Sequence, residues 1–127
     1  MIMYWEYSQS SGGLFFNNIL VATGYSGYGY GKDNPDMEGL RNIGPIPRGE
    51  YEIQGPKNSA RTGPFVLPLI PVEHDALGRS DFQVHGDSIS NPGGASSGCI
   101  IVNRSIREKI WNSGIRKLVV VREKFDG

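Results

Sequence analysis

Apolar residues in this chain occur in short runs, and residues that favour turns separate the runs. The runs MYWEYS, LFF, ILVA, PFVLPLI, DFQVH, CIIV and KLVVV contain the β-branched and aromatic residues that favour strands, and IGPIPRGEYEIQG holds a short alternating strand that ends near Gln54. Asn17 and Asn18 separate LFF from ILVA and favour a hairpin, because asparagine tolerates the positive φ angles of two-residue turns. Pro68 inside PFVLPLI indicates an edge strand or a bulge, because proline cannot donate to a strand ladder.

One stretch, SIREKIWNSG, has the pattern of a helix. Ser105 is the predicted N-cap, and Glu108 three residues later completes a capping box. Ile106 and Ile110 share one face, and Gly114 can end the helix. We therefore expect a mainly β protein with a single helix of about two turns near the C-terminus, packed on the sheet.

Length and composition agree with one small domain. The chain has 127 residues, with 18 glycines and 8 prolines that indicate many tight turns. We expect residues 1–127 to form one domain, and this length buries a core without disulfides. The single cysteine rules out an internal disulfide.

Charge and hydropathy exclude several kinds of partner. Thirteen basic and thirteen acidic residues cancel, and no long run of either sign occurs, so we expect no binding to nucleic acid. No apolar stretch has the length that membrane insertion requires. The N-terminal residues MIMYWEYSQSSGG do not resemble a signal peptide, so we expect synthesis in the cytoplasm, and action outside it would need other machinery for export.

The segment HGDSISNPGGASSGCIIV contains the most reactive side chains of the chain. His85 follows one strand-like run and Cys99 opens another, so the two side chains can meet if these strands pair. An imidazole beside a thiol is the usual way to populate a nucleophilic thiolate near neutral pH. The alternative is that Cys99 is a small buried apolar residue and His85 only caps a strand.

The residues around this pair suit the same chemistry. The backbone amides of Gly98 and Cys99 are predicted to stabilise a developing oxyanion, since glycine leaves the backbone accessible. The carbonyl oxygen of Gly86 or the carboxylate of Asp87 would hold the His85 imidazole in one tautomer. The sequence does not choose between these two.

Metal and cofactor sites are not expected. The candidate ligands do not have the spacing of a structural zinc site; they are His74, Asp75, His85, Asp87 and Cys99. His74 itself is expected to be a solvated loop residue. No pair of carboxylates stands out for glycoside hydrolysis, and GYGYGK lacks the spacing of a phosphate-binding loop.

Three segments together resemble a known family: GYSGYGYGKDNPDMEGLRNIGPIPRGEYEI, GRSDFQVHGD, and SSGCIIV followed by SIREKI. They are similar to L,D-transpeptidase-type effector toxins that bacteria export through type VI secretion systems. The resemblance runs from Tyr4 to about Val121 and implies a β-sandwich or barrel. Ser97 stands where housekeeping L,D-transpeptidases have a second histidine, which the effectors typically lack as well.

The resemblance implies a function in the bacterial cell wall. Cys99 would be the nucleophile and His85 the base, acting on the tetrapeptide stems of peptidoglycan as an L,D-carboxypeptidase or L,D-transpeptidase. The expected place of action is the periplasm of a target bacterium, and the expected partners are an immunity protein and the secretion apparatus. Arg79 is the candidate binder of a stem carboxylate. Tyr25, Ser26 and Ser97 are candidates for lining the cleft.

Two other functions remain open at this level. A papain-like cell-wall peptidase or amidase has its nucleophile before the histidine and usually at a helix N-terminus, whereas here His85 precedes Cys99. A non-catalytic cell-wall binding domain would leave Cys99 in the core. Such a buried cysteine would resist alkylation in the native protein.

Overall fold

The computed structural model describes residues 3–125, and strands dominate it. The described residues form ten strands and one α-helix. In chain order these elements are β1 Trp5–Ser8, β2 Gly13–Phe16, β3 Ile19–Thr23, β4 Tyr25–Ser26, β5 Gly49–Ile53, β6 Lys57–Ser59, β7 Gly63–Val72, β8 Gln83–His85, β9 Ile100–Ile101, α1 Arg104–Asn112 and β10 Lys117–Val121. Short 3-10 turns span Gly29–Gly31, Pro35–Met37 and Ala76–Gly78.

The strands follow the order β3-β2-β1-β10-β5-β7-β8-β9-β4, with β6 paired to β7. Most neighbours are antiparallel, but β1 pairs with β10 and β8 pairs with β9 in parallel. A mainly β fold with one helix is therefore confirmed. The predicted hairpin between β2 and β3 is also present, and both turn residues have positive φ, 52° for Asn17 and 69° for Asn18.

The longest strand, β7, connects the two parts of the sheet. Its C-terminal residues 69–72 pair with β5, and its N-terminal part pairs with β6 and β8. The expectation that Pro68 marks an edge strand or a bulge is wrong, because β7 lies in the interior of the sheet. Pro68 is tolerated because it lies where the ladder passes from β5 to β8, and its carbonyl oxygen accepts from Gln54 N at 2.8 Å.

The core lies between the sheet and α1. The most deeply buried large side chains include Trp5, Tyr7 and Tyr51, together with Leu67 and Ile100. Burying apolar area of this kind contributes about 1.5–3 kcal/mol per large side chain. Strand β8, which ends at His85, and strand β9, which directly follows Cys99, are each anchored between two neighbouring strands.

Helix α1 forms as predicted, but its cap differs. Asn103, not Ser105, is the N-cap, and its side-chain oxygen accepts from Ile106 N at 3.1 Å. Ser105 lies inside the first turn instead. Ile110 is buried, and Gly114 follows the helix with φ 75°. No helix among residues 3–125 has the length and apolar character needed to cross a membrane.

The glycine-rich segment from Gly24 to Gly39 forms strand β4 and two 3-10 turns and is not a loose loop. Its first residues form β4, which pairs with β9 directly after Cys99. A Cβ added at Gly24 would lie 2.0 Å from the Ile101 carbonyl oxygen, so only glycine permits this approach. The segment thereby packs against the strand that follows the candidate nucleophile.

Candidate active site

Parallel pairing of β8 and β9 brings the two reactive residues together. Val84 pairs with Ile100 and His85 pairs with Ile101, so Cys99 falls beside Gln83 by the same register. Side chains two positions apart on a strand share a face, and paired residues of parallel strands do too. Cys99 and His85 are thus diagonal neighbours on one face, with Cα atoms about 8 Å apart from the strand spacing and rise.

The Cys99 thiol is nearly enclosed. The residue is 6% exposed, and its Sγ donates to the carbonyl oxygen of Asp81 at 3.7 Å. Burial raises the pKa of the thiol, while a hydrogen bond from the Gln83 backbone amide opposes that shift. The charge of Arg61 also lowers the pKa. In the resting protein the balance favours the protonated thiol.

The His85 imidazole is fixed through one ring nitrogen. Its Nδ1 lies 2.9 Å from the carbonyl oxygen of Gly86, which can only accept, so Nδ1 carries the proton. Burial lowers the pKa of the imidazole, and the nearby Arg107 and Arg61 lower it further. The neutral ring therefore keeps an unprotonated Nε2, which has no hydrogen bond with any residue from 3 to 125.

Asp87 makes no hydrogen bond to this imidazole, so of the two alternatives the Gly86 carbonyl oxygen holds it. The Asp87 carboxylate accepts from the Tyr25 hydroxyl at 2.7 Å and from the backbone amides of Ser88 and Gly93 at 2.8 and 3.1 Å. Burial and the Asp87 hydrogen bond raise the pKa of Tyr25 to about 12. Asp87 and Tyr25 thus hold the loop between His85 and Cys99 in place.

A second network of hydroxyl groups holds the other end of this loop. The Ser96 hydroxyl donates to the Cys99 carbonyl oxygen at 2.6 Å and accepts from the amides of Gly27 and Gly98. The Ser26 hydroxyl donates to the Gly98 carbonyl oxygen at 3.0 Å. Ser26 is fully buried, which differs from the expectation that it lines the cleft.

Gly98 also departs from its predicted role. Its amide already donates to the Ser96 hydroxyl at 3.1 Å, so it does not offer a free oxyanion donor in this state. Its φ of 142° and its close neighbours explain the glycine instead. A Cβ at this position would lie 2.6 Å from Arg79 Nη2 and 3.0 Å from the Phe82 ring.

Arg79 is a buried support rather than an exposed binding group. The residue is 7% exposed, and its two terminal nitrogens donate to four carbonyl oxygens at 2.6 to 3.1 Å. Those acceptors are Glu38, Gly44, Pro45 and Ser97. The expectation of a carboxylate fork at Arg79 is therefore not met, because the fork is already occupied by the backbone.

An open pocket of about 420 Å³ lies over Cys99. This volume is within the range of about 300–1,000 Å³ that is usual for ligand sites. The residues around it come from four connecting segments, the last of which leads into β9: Arg41, Asn42, Arg61, Gly78, Arg79, Ser80, Asp81, Phe82, Ser97, Gly98 and Cys99. Of the candidates for lining the cleft, Ser97 belongs to this pocket, whereas Tyr25 lines a separate depression beside Asp87.

His74 is a structural residue, not the solvated one that the sequence indicates. Its Nε2 lies 2.9 Å from the Glu50 carbonyl oxygen, and its Nδ1 accepts from the Ala76 amide at 3.0 Å. The ring packs edge-on against Tyr51. Among residues 3–125, no three histidine, cysteine or acidic side chains cluster as metal ligands would.

Arg41 and Arg61 are pocket residues that the sequence did not single out. Each is an exposed arginine in a turn, and nothing in the local pattern distinguishes it from a solvated surface residue. Only the folded chain brings both beside Cys99.

Two solved structures resemble this chain in fold. The structure of Bdellovibrio bacteriovorus Bd1075 superposes with a TM-score of 0.61 and 15% sequence identity over 95% of this chain and 47% of that one. The structure of LD transpeptidase LdtMt1 in complex with imipenem superposes with a TM-score of 0.48 and 16% sequence identity over 94% of this chain and 58% of that one. The chain thus spans about half the length of these solved chains. No curated protein has a matching sequence.

The family follows from the sequence itself. Residues 21–124 match the family described as the Tlde1 domain. This match covers most of the chain, including β8, β9 and the loop between them. The protein therefore belongs to the Tlde1 domain family, the L,D-transpeptidase-type effectors of type VI secretion, and the expected β fold of that family is confirmed.

Proposed function

We propose that this domain is a cysteine acyltransferase that acts on the tetrapeptide stems of peptidoglycan, as an L,D-carboxypeptidase and L,D-transpeptidase. The observation that carries the proposal is the diagonal placement of Cys99 and His85 on one face of the parallel β8–β9 pair. A neutral imidazole with an unprotonated Nε2 lies on the same face of this strand pair as a thiol that borders an open pocket.

The reaction would begin with transfer of the Cys99 proton to His85 Nε2 as the sulfur attacks an amide carbonyl carbon. This carbonyl belongs to the L-centre of the third stem residue, usually meso-diaminopimelate. Because the Cys99 thiol and the His85 imidazole are both neutral in the resting protein, the thiolate and the imidazolium form only when substrate is bound. The Gly86 carbonyl oxygen then accepts from Nδ1–H and stabilises the imidazolium.

Collapse of the tetrahedral intermediate would break the amide bond. His85 returns its proton to the leaving nitrogen, terminal D-alanine departs, and a thioester remains on Cys99. The Cys99 amide is the predicted oxyanion donor, since the Gly98 amide is occupied. Ser97, exposed at the pocket rim, is a candidate for contact with the stem.

The acceptor of the acyl group decides the product. Water gives the shortened stem, a free D-amino acid gives exchange of the terminal residue, and a side-chain amine of another stem gives a crosslink. The pocket is open and lined by loops, so an acceptor can reach the thioester after D-alanine leaves. The proposed site of action is the periplasm of a target bacterium, with an immunity protein and the secretion apparatus as partners.

The test is mass spectrometry of a disaccharide tetrapeptide after incubation with the protein, with and without an added D-amino acid. Loss of D-alanine, or its replacement, is expected with the wild type and absent with Cys99→Ala. The matched control is His74→Gln, because His74 is the other histidine and lies outside the pocket. His85→Gln should lower the rate about 10²- to 10⁴-fold, while His74→Gln should retain activity wherever it folds.

Unchanged tetrapeptide in every incubation, with a wild type that circular dichroism shows to be folded, would refute this activity. The non-catalytic binding domain would then be the better explanation of a buried thiol. The papain-like alternative has less support, because Cys99 precedes a strand and not a helix.

A further inference from the structure

Two arginines of this protein have no partner within the described chain. Eight arginines lie among residues 3–125, and six donate side-chain hydrogen bonds to other residues. Arg41 and Arg61 alone have neither a side-chain hydrogen bond nor an ion pair among these residues. Both line the pocket over Cys99.

The two side chains reach the pocket from separate loops. Arg41 follows the 3-10 turn Pro35–Met37, in the segment whose carbonyl oxygens hold Arg79. Arg61 lies in the turn between β6 and β7. Its neighbour Thr62 donates to the Gln83 side chain at 3.0 Å, which fixes this turn beside the strand next to Cys99.

The charge of the pocket is therefore mainly positive. Among residues 3–125, Asp81 is the one acidic residue that lines it, against Arg41, Arg61 and Arg79, whose terminal nitrogens already donate to carbonyl oxygens. Arg61 lies close enough to lower the pKa of both Cys99 and His85, whereas Arg41 acts on Arg79. Arg61 is thus the free guanidinium nearer to the reacting atoms.

An unoccupied guanidinium presents a planar fork of N–H donors that matches a carboxylate. We propose that Arg41 and Arg61 are substrate-binding residues that hold two carboxylates of an acidic donor peptide. Arg61 holds the carboxylate nearer to the scissile amide, and Arg41 holds one farther along the pocket. That the donor is a stem peptide rests on the proposed function. Because the guanidinium groups of Arg41 and Arg61 match carboxylates, the pocket selects peptides with free carboxyl groups over amidated ones.

The first test needs no turnover. Iodoacetate and iodoacetamide alkylate Cys99 by the same displacement of iodide, and only iodoacetate carries a carboxylate. At pH 9 the ratio of the two rates, iodoacetate over iodoacetamide, should fall about 2- to 5-fold in Arg61→Gln, the effect of a partly exposed ionic contact. Arg61→Lys should recover part of the ratio.

The matched control is Arg104→Gln, since Arg104 is an exposed arginine paired with Glu108 on α1 and lies outside the pocket. Its ratio should equal that of the wild type. Equal ratios in the wild type and in Arg61→Gln would overturn the assignment of Arg61.

The second test measures binding by calorimetry to the Cys99→Ala protein, which cannot turn over. The tetrapeptide with free carboxyl groups should bind about 2- to 5-fold more weakly when Arg41→Gln or Arg61→Gln is added, and the binding of the fully amidated peptide should not change. Equal losses for both peptides would overturn the proposal, and so would no binding of the free peptide. Turnover by the wild type decides the proposed function separately, since neither readout depends on it.

Discussion

Replacement of Arg79 separates a structural role from a substrate-binding role. The side chain is buried and donates to four backbone carbonyl oxygens, which join the segment before β5 to the loop that leads to Cys99. Arg79→Met keeps the length of the side chain and removes all four donors. We therefore expect this change to lower the free energy of unfolding.

The magnitude follows from the four bonds. Each hydrogen bond contributes about 0.5–1.5 kcal/mol net, or about 2–6 kcal/mol for the set. Burial removes part of the hydration of the charged guanidinium, which lowers the pKa of Arg79. This loss of hydration offsets part of the stabilisation by the four hydrogen bonds. The expected loss is about 2–4 kcal/mol, because water from the open pocket can hydrate some of the freed carbonyl oxygens.

Urea unfolding followed by tryptophan fluorescence measures the effect. With a slope of about 2 kcal/mol per molar urea, the midpoint should fall by about 1–2 M. Arg79→Lys should lie between the wild type and Arg79→Met, and Arg41→Gln should leave the midpoint unchanged. An unchanged midpoint for Arg79→Met, combined with weaker peptide binding, would refute the reasoning and restore Arg79 as a carboxylate binder.

Three further predictions concern the loop, the acid stability and the thiol. Asp87→Ala removes an acceptor of the Gly93 amide, and exchange of that amide measured by NMR should become about tenfold faster, whereas an unchanged rate would mean that the carboxylate does not hold the loop. Burial raises the pKa of Glu38, but hydrogen bonds from Arg48 outweigh the effect of burial and lower the pKa to about 2. The ionised carboxylate therefore stabilises the fold above its usual pKa, and this stabilisation is lost as the pH falls from about 4.5 to 2. Between pH 7 and pH 3, urea unfolding should therefore show the wild type losing about 1–2 kcal/mol more than Glu38→Gln, after allowance for the partly exposed Arg48, and equal losses would contradict the assignment. Because burial raises the pKa of Cys99, its alkylation by iodoacetamide should be slow at pH 7 and still be rising above pH 9, and a plateau by pH 8 would indicate a preformed thiolate.

Local sequence accounts for most of the strands. Runs such as KLVVV and CIIV carry the β-branched residues that a buried pleat favours, and Asn17 and Asn18 tolerate the positive φ of their hairpin turn. The helix was also predictable from the face shared by Ile106 and Ile110. Its cap was not, because Asn103 and Ser105 are both good capping residues and only the geometry of the first turn separates them.

The candidate pair was identifiable, but its surroundings were not. The sequence contains one cysteine and two histidines, so Cys99 and the histidine that ends the neighbouring strand-like run, His85, stand out as candidates. Residue type alone did not tell that the other histidine is structural. His74 is held by the Glu50 carbonyl and the Ala76 amide, contacts that exist only after β5 and the following loops have packed.

The sequence by itself determined the local elements and the reactive residue types, because propensity and turn chemistry act over a few neighbouring positions. Tertiary structure alone decided which partners each polar group has. It occupied the fork of Arg79 with carbonyl oxygens and placed Arg41 and Arg61 beside Cys99 without a side-chain partner among residues 3–125. A hydrogen bond or an ionic contact needs atoms within about 3–4 Å, and the strand order that creates such distances is not encoded in any one short segment.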